Sequence, residues 1–336
     1  MSLIHGARHW WRRGGLTVLA DHGSAWAAGQ TVRRLAGGIT AADGTGSQRI
    51  SQALITGPHA TVIGSDVVAG DAVRETASKT QWMFHHACRR HPATVWRALR
   101  GMPAATERIP EPVVVLYHHS SNYYHWLVEQ MPKLAVANAT PLVPADAPEF
   151  VSAALRRADI ESIRWDGRPL RVSEVVVPEL PASQPYEIAW LREYVGGSAV
   201  GDRGDGWLFI SRASSDRGRR VANRDELQSV FEDRDVEIVQ PEQWSLAEQI
   251  SRFAAADGVI AAHGAGLTNM LWMTDATIIE LDNGARKDTY AELATALGHD
   301  FARLHCEPAS TAREPINADL RVDIGELLDA IELPKH

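Results

Sequence analysis

The chain has 336 residues, 45% of them hydrophobic and 23% charged, with a formal charge of −8 at pH 7. These values suit a globular protein of two domains at about 150 residues each, and the acidic balance argues against a nucleic-acid partner. The 2 cysteines, Cys88 and Cys306, exclude a disulfide scaffold and a cysteine-rich zinc site, and they fit a reducing cytoplasm.

No apolar run reaches the roughly 18 residues of a membrane span, and no signal peptide is visible, so a cytoplasmic protein is expected. The cluster His9-Trp10-Trp11-Arg12-Arg13 pairs indoles with arginines and would suit a peripheral contact on the inner face of the membrane. The competing reading is that these tryptophans pack on the protein itself.

In chain order, residues 1–110 show short β-like runs, Ala60–Ile63 and Val67-Val68, between glycine-rich turns. A small strand-rich region and then a helix near 90–100 are expected there. Val113–Tyr117 is a continuous apolar run, the pattern of a strand buried on both faces of a parallel sheet. A helix over Tyr123–Asn138 follows, capped by Ser121 or Asn122 and kinked at Pro132. Pro141–Val143 reads as a strand, 148–158 as a helix, Ile163–Trp165 and Glu174–Val177 as strands, and Ile188–Val195 as a connecting helix.

Glycines 196, 197, 201, 204 and 206 make the best linker in the chain. Beyond it, strands Trp207–Ile210, Val236–Val239, Gly258–Ala262, Ile278–Leu281 and Phe301–Leu304 alternate with helices over Asp225–Glu232, Ser245–Ala256, the stretch opened at His263, and Asp288–Leu297. Ser245 and Glu248 form a capping-box pattern. The fold class expected is α/β: two Rossmann-like lobes with a cleft between them, plus the strand-rich N-terminal region. The first lobe spans 1–195, with the extension at 1–110 and the Rossmann-like part at 111–195; the second spans 196–336.

His263-Gly264-Ala265-Gly266-Leu267-Thr268-Asn269 joins a buried strand to a helix start. Glycine lets a backbone approach a ligand, and free N–H groups at a helix N-terminus suit a diphosphate. His263 can donate to a phosphate; a tight structural turn is the plain alternative. Glu280 ends the next strand, where a carboxylate can accept from ribose hydroxyls or simply sit in solvent. Arg212 ends the first strand of the second lobe; Arg217, Arg219 and Arg220 follow in a polar loop, and Asn223 precedes a helix. Guanidinium groups clamp phosphate oxygens in bidentate fashion, although a run of charge is often a solvated loop.

His118, His119, Asn122, His125 and Glu129 join another buried strand to a helix. His125 and Glu129, four apart, share a face of an α-helix. Glu129, His125 or His119 could take a proton from an acceptor hydroxyl. A metal is the weaker reading, because adjacent histidines in an extended segment point to opposite sides. A hydrogen-bonded His–Glu pair that merely holds the helix is the third.

The blocks Asn122–Lys133, Ile210-Ser211-Arg212, Arg219–Asn223, His263–Asn269 and Ile278–Leu281, in that order, resemble glycosyltransferase family 61, whose bacterial members are described as capsular polysaccharide biosynthesis proteins. The resemblance implies a GT-B fold and an inverting, metal-independent transfer without a resident cofactor. It also implies a nucleotide-sugar donor, with a UDP-sugar expected, held by Arg212, Arg220, Asn223, the turn 263–269 and Glu280. A glycan or glycolipid acceptor would face the helix of His125 and Glu129, with His118, Asn122 and Lys133 beside it. Glu129 stands where the family usually has aspartate, Lys133 where arginine is usual, and Arg224 where an acidic residue is common. A nucleotide-sugar epimerase of the same architecture and a non-catalytic sugar-nucleotide or glycan-binding subunit are the alternatives.

Overall fold

The computed structural model describes residues 47–51, 53–56, 61–63, 68–69, 107–117, 120–178, 185–200, 206–212, 218–284, 288–311 and 315–332. The tryptophan cluster at 10–11, the helix expected near 90–100, His118, His119 and Arg217 lie outside these residues. The chain divides into two compact units: residues 1–121, 129–148 and 161–182 form one, and 122–128, 149–160 and 183–336 the other. Both are built on α/β sheets with parallel strands.

The first unit carries a mixed sheet of eight strands. They are β1 (Ser47–Ser51), β2 (Leu54–Thr56), β3 (Thr61–Ile63), β4 (Val68–Ala69), β5 (Glu107–Val115), β6 (Thr140–Pro144), β7 (Ile163–Trp165) and β8 (Leu170–Pro178), in the order β4-β3-β2-β8-β5-β6-β7 with β1 also on β8. β8, β5, β6 and β7 run parallel, whereas β1 and β2 lie antiparallel along the other edge of β8. The N-terminal strands therefore extend this sheet and do not form a separate body. Val113, Val114 and Val115 are buried, as the unbroken apolar run requires. β5 begins six residues before that run, because Pro110 and Pro112 are absorbed where its register against β8 shifts between Ile109 and Pro112. A proline has no N–H for the ladder, so the strand bulges around the pair instead of ending.

The helical segment after Asn122 is not one kinked α-helix. His125–Gln130 is a π-helix and Met131–Ala135 a 3₁₀ helix with Pro132 in its first turn. Proline fits there because the first N–H groups of a helix lack partners anyway. Asn122 is the cap: its Oδ1 accepts the N–H of Tyr124 at 3.0 Å and of His125 at 3.3 Å. In a π-helix the bonds reach five residues, so the shared-face argument for His125 and Glu129 loses its α-helical basis.

The second unit is built on five parallel strands, β9 (Gly206–Ile210), β10 (Val236–Val239), β11 (Ala256–Ala262), β12 (Thr277–Asp282) and β13 (Asp300–His305), ordered β10-β9-β11-β12-β13. Counted from its own first strand this is the order 2-1-3-4-5 of flavodoxin-like sheets, whose winding reverses between β9 and β11. Its helices are α1 (Glu149–Arg157), α2 (Pro185–Leu191), α3 (Arg224–Phe231), α4 (Leu246–Ala254), α5 (Thr289–Leu297) and α6 (Ile324–Glu332). Ser245 caps α4 by accepting the N–H of Glu248 at 3.2 Å, and Gly298, in the left-handed region at φ 75°, ends α5. A core of Phe209, Leu227, Phe231, Ile260, Ile279, Leu281, Leu320 and Leu327 fixes the sheet against α3 and α6.

The end of the chain was not anticipated from sequence. A 3₁₀ turn at Pro315–Asn317 and the short pair β14 (Glu307–Pro308) and β15 (Leu320–Arg321) lead into α6. Among the described residues, no helix is long and apolar enough to cross a membrane.

Candidate functional site

Strand register places the side chains that matter. Ile210 on β9 lies opposite Ala261 on β11, so Arg212 and the turn after Ala262 leave neighbouring carboxyl ends where the winding reverses. Ligands of open α/β sheets bind in that crevice, outside the carboxyl ends of the strands. Gly264 lies directly beneath the Arg212 guanidinium: a β-carbon there would fall 2.3 Å from Nη1. A β-carbon on Gly266 would likewise fall 3.2 Å from Ile210 Cδ1.

The expected helix after Gly264 is 3₁₀ over eight residues, Ala265–Trp272. Its first bond runs from the Leu267 N–H to the Gly264 carbonyl at 3.0 Å, so the amides of Ala265 and Gly266 precede the ladder. Its far end is held by Arg192, which donates to the carbonyls of Leu271 at 2.7 Å and Met273 at 2.6 Å. His299 accepts the Ala276 N–H at Nδ1, which leaves Nε2–H to donate to the Met270 carbonyl at 2.9 Å. Burial lowers the pKa of His299, because the charged ring would be desolvated.

Phe209, Ser211, Arg212, Arg220, Val221 and Arg224 line a cavity of about 190 Å³. Three arginines border it and, among the described residues, no Asp or Glu does. Arg224 was overlooked as a site residue. It opens α3, where the positive end of the helix dipole disfavours a cation, and that mismatch is the signal that points to an anion nearby. The Arg212 side chain is half-buried, whereas Arg220 is exposed and has Asp319 3.7 Å away.

The loop carrying these arginines is pinned to the unforeseen C-terminal segment. Arg219 N–H donates to the Asn317 carbonyl, Leu320 N–H to Arg220, and Ala222 N–H to Leu320. Asn223 donates from Nδ2 to the Val322 carbonyl at 2.9 Å and accepts the Val322 N–H at 3.0 Å. Both ends of its amide are thus committed to the protein, and no side-chain bond caps α3. Gly218 and Arg219 both adopt left-handed backbone, at φ 68° and 61°, and the Asn317 carbonyl fills the space a β-carbon on Gly218 would need. This turn aims the Arg219 guanidinium at the His263 carbonyl, 2.5 Å away.

His263 is the centre of a second network. Its Nδ1 lies 2.5 Å from Glu280 Oε1, and Arg303 Nε donates to Oε2 of the same carboxylate at 3.0 Å. Arg303 also donates to Asp288 at 3.1 Å. Burial alone would lower the pKa of Arg303, but its bonds to Glu280 and Asp288 outweigh that and raise it. Glu280 is only 1% exposed, so the solvated or ribose-facing carboxylate expected at this strand end is instead sealed between His263 and Arg303. Tyr290 packs edge-on against the His263 ring at 5.0 Å, Tyr124 against Tyr290 at 5.6 Å, and His125 against Tyr124 at 5.5 Å. Burial raises the Tyr290 pKa beyond its ordinary value, so the phenol stays protonated.

Within the turn, Leu267, Thr268 and Asn269 are buried. Asn269 Oδ1 accepts from the Tyr123 hydroxyl at 2.8 Å and Trp272 Nε1 at 3.2 Å, and its Nδ2 donates to Gln249 at 3.0 Å and the Gly266 carbonyl at 3.2 Å. All of its hydrogen-bonding capacity goes to joining residues 122–128 and α4 to the turn. In the other unit, Lys133 is 3% exposed and donates to Gln130 at 3.0 Å, which holds the 3₁₀ turn and does not reach outward. Glu129 is half-buried on the π-helix. Among the described residues, no group of three or more His, Cys, Asp or Glu could hold a metal ion.

The structure thus brings together Arg212, Arg220, Gly264, Ala265, Gly266 and His263 around the sheet's reversal point and adds Arg224, Arg219, Tyr290 and Arg303. It turns Asn223, Thr268, Asn269 and Leu267 inward. Residues 123–279 match the family model described as Glycosyltransferase 61. Comparison with curated proteins found no match.

Proposed function

We infer, from a chain that this match makes a glycosyltransferase, that the enzyme moves a sugar from a nucleoside diphosphate donor to a glycan or glycolipid acceptor. The observation that carries the reading is the cavity bordered by Arg212, Arg220 and Arg224 at the reversal point of the parallel sheet. Three arginines, with the turn amides of Ala265 and Gly266 ahead of the 3₁₀ ladder, favour a diphosphate and would stabilise the charge that develops on it as the sugar leaves. A UDP-sugar is the proposed donor. Positive charge from these side chains and amides would suit a departure without a metal, and direct attack on the anomeric carbon would invert it.

Inversion needs one base for the acceptor hydroxyl. His125 takes that role first in this reading, because three ring contacts join it through Tyr124 and Tyr290 to the turn of His263. Glu129 and His119 are its competitors, and Asn122 and His118 would lie on the acceptor side. The GT-B assignment, synthesis of surface or capsular polysaccharide and a cytoplasmic site peripheral to the membrane belong to the same reading.

The test is a panel of nucleoside diphosphate sugars, each incubated with and without glycan acceptors while released nucleoside diphosphate is measured. Acceptor-dependent release with at least one donor, and an inverted anomeric configuration by NMR, is expected. Interconversion of the sugar without acceptor would identify an epimerase instead, and silence across the panel would overturn the donor reading.

A further inference from the structure

Glu280 has nothing left to offer a ligand. It is 1% exposed, one oxygen faces His263 Nδ1 at 2.5 Å, and the other accepts from Arg303 at 3.0 Å. Strand register makes this arrangement rigid, since Glu280 lies opposite Ala261 on one side and Arg303 on the other. The His263 backbone is tied to the same strand, its N–H donating to the Leu281 carbonyl at 3.3 Å. Tyr290 covers the imidazole at 5.0 Å. Among the described residues, the charged and titratable groups around the ring are Glu280 on β12, Arg303 on β13, Asp288 and Tyr290 at the start of α5, Arg219 on its carbonyl, Arg212 against the next residue, and Tyr124 behind Tyr290.

We propose that Glu280 is a positioning residue that acts through His263: it holds a proton on Nδ1, so that Nε2 of the neutral ring meets the bound sugar nucleotide as an acceptor. A carboxylate can only accept, so the ring nitrogen facing it carries the proton, and the other nitrogen carries the lone pair. The ligand atom opposite Nε2 is then a donor, an O–H or an N–H. Phosphate oxygens, which also only accept, fall to the arginines and the turn amides. The contribution of His263 is therefore recognition of a sugar or base donor group, not a grip on the leaving diphosphate. The ligand half of this inference rests on the donor reading above; the tautomer half does not.

The tautomer is read by ¹⁵N NMR of the imidazoles, with His263 assigned by its loss in His263→Ala, on the alkaline side of the ring's titration. The wild type should show Nδ1 protonated and Nε2 bare. In Glu280→Gln the amide oxygen must serve Arg303, which only donates, so the NH₂ turns to His263 and the proton moves to Nε2. A wild-type proton on Nε2, or an unchanged ring in Glu280→Gln, overturns the proposal; the wild-type spectrum decides even where the variant fails to fold. The second measurement is binding of UDP and of inorganic pyrophosphate. Glu280→Gln should weaken UDP about tenfold, the worth of one hydrogen bond. It should leave pyrophosphate within twofold and add no loss in a His263→Ala background. A loss that persists in that background would show Glu280 touching the nucleotide itself. If the wild type binds neither probe, the donor reading fails while the spectra still judge the Glu280–His263 assignment.

Discussion

The Arg212 guanidinium rests on Gly264, with a built β-carbon falling 2.3 Å from Nη1 and 3.3 Å from Cζ. Gly264 has φ 167°, an extended conformation open to any residue, so alanine costs no backbone strain. Gly264→Ala should leave the melting temperature almost unchanged and displace the guanidinium. UDP affinity, measured by calorimetry, should then fall toward that of Arg212→Ala, about 10- to 100-fold, as expected for a lost charge-assisted bond. A variant that binds like the wild type would show that the close approach serves only packing.

Asn223 tests the difference between holding a ligand and holding the loop that holds it. Its amide makes both of its bonds to Val322. Asn223→Ala leaves the Val322 groups unsatisfied and should cost about 1–3 kcal/mol of unfolding free energy in a denaturant titration. A loss of UDP binding with full stability would instead make Asn223 a ligand residue.

Leu327 on α6 is fully buried in the same core as Phe209 and Leu227. Leu327→Ala should cost about 2–5 kcal/mol. Because α6 follows the segment that pins Arg219 and Arg220, UDP binding should weaken as well. Stability lost with affinity intact would separate α6 from the arginine loop.

His299 predicts a sign for acid sensitivity. Its folded pKa is lowered by burial. The folded state therefore binds fewer protons than the unfolded state below the ordinary histidine value of about 6.5, and stability is lost as pH falls through that value toward the folded pKa. Melting temperature should decline from pH 7 to pH 5, and His299→Gln should flatten that decline. An equal slope in both proteins would assign the acid sensitivity to other groups.

The two base candidates separate kinetically. Removal of the true base lowers kcat and spares donor affinity. Single-turnover transfer with His125→Ala should fall by at least about a hundredfold, the usual scale of general base catalysis, with UDP affinity within a few-fold. Should Glu129→Gln be the variant that fails and His125→Ala the one that turns over, the assignment reverses.

Much of the second unit could be read from the amino acids, because strands buried on both faces leave unbroken apolar runs such as Val259–Ala262, and Ser245 advertises its helix start. β5 was read short because Pro110 and Pro112 look like an ending, and only the paired strand reveals a bulge. The site divides along the same line. Arg212 and Gly264 were visible from their places at strand ends. The partners of Glu280 were not, because His263 and Arg303 meet it only through the register of β11, β12 and β13. Arg224 carried a signal in its conflict with the helix dipole. The segment at 315–322 carried none, since its hydrogen bonds are to a loop about a hundred positions earlier.

That last separation has a kinetic consequence. The bonds between Asn223 and Val322 span 99 residues, and joining distant parts of a chain carries an entropy cost that grows with the logarithm of the span. Sequentially adjacent strand–helix pairs can form first, so the arginine loop acquires its shape near the end of folding. A phosphate-bearing compound that recognises only the finished loop would then act as a chaperone of its own binding site, raising the melting temperature with the logarithm of its concentration above the dissociation constant.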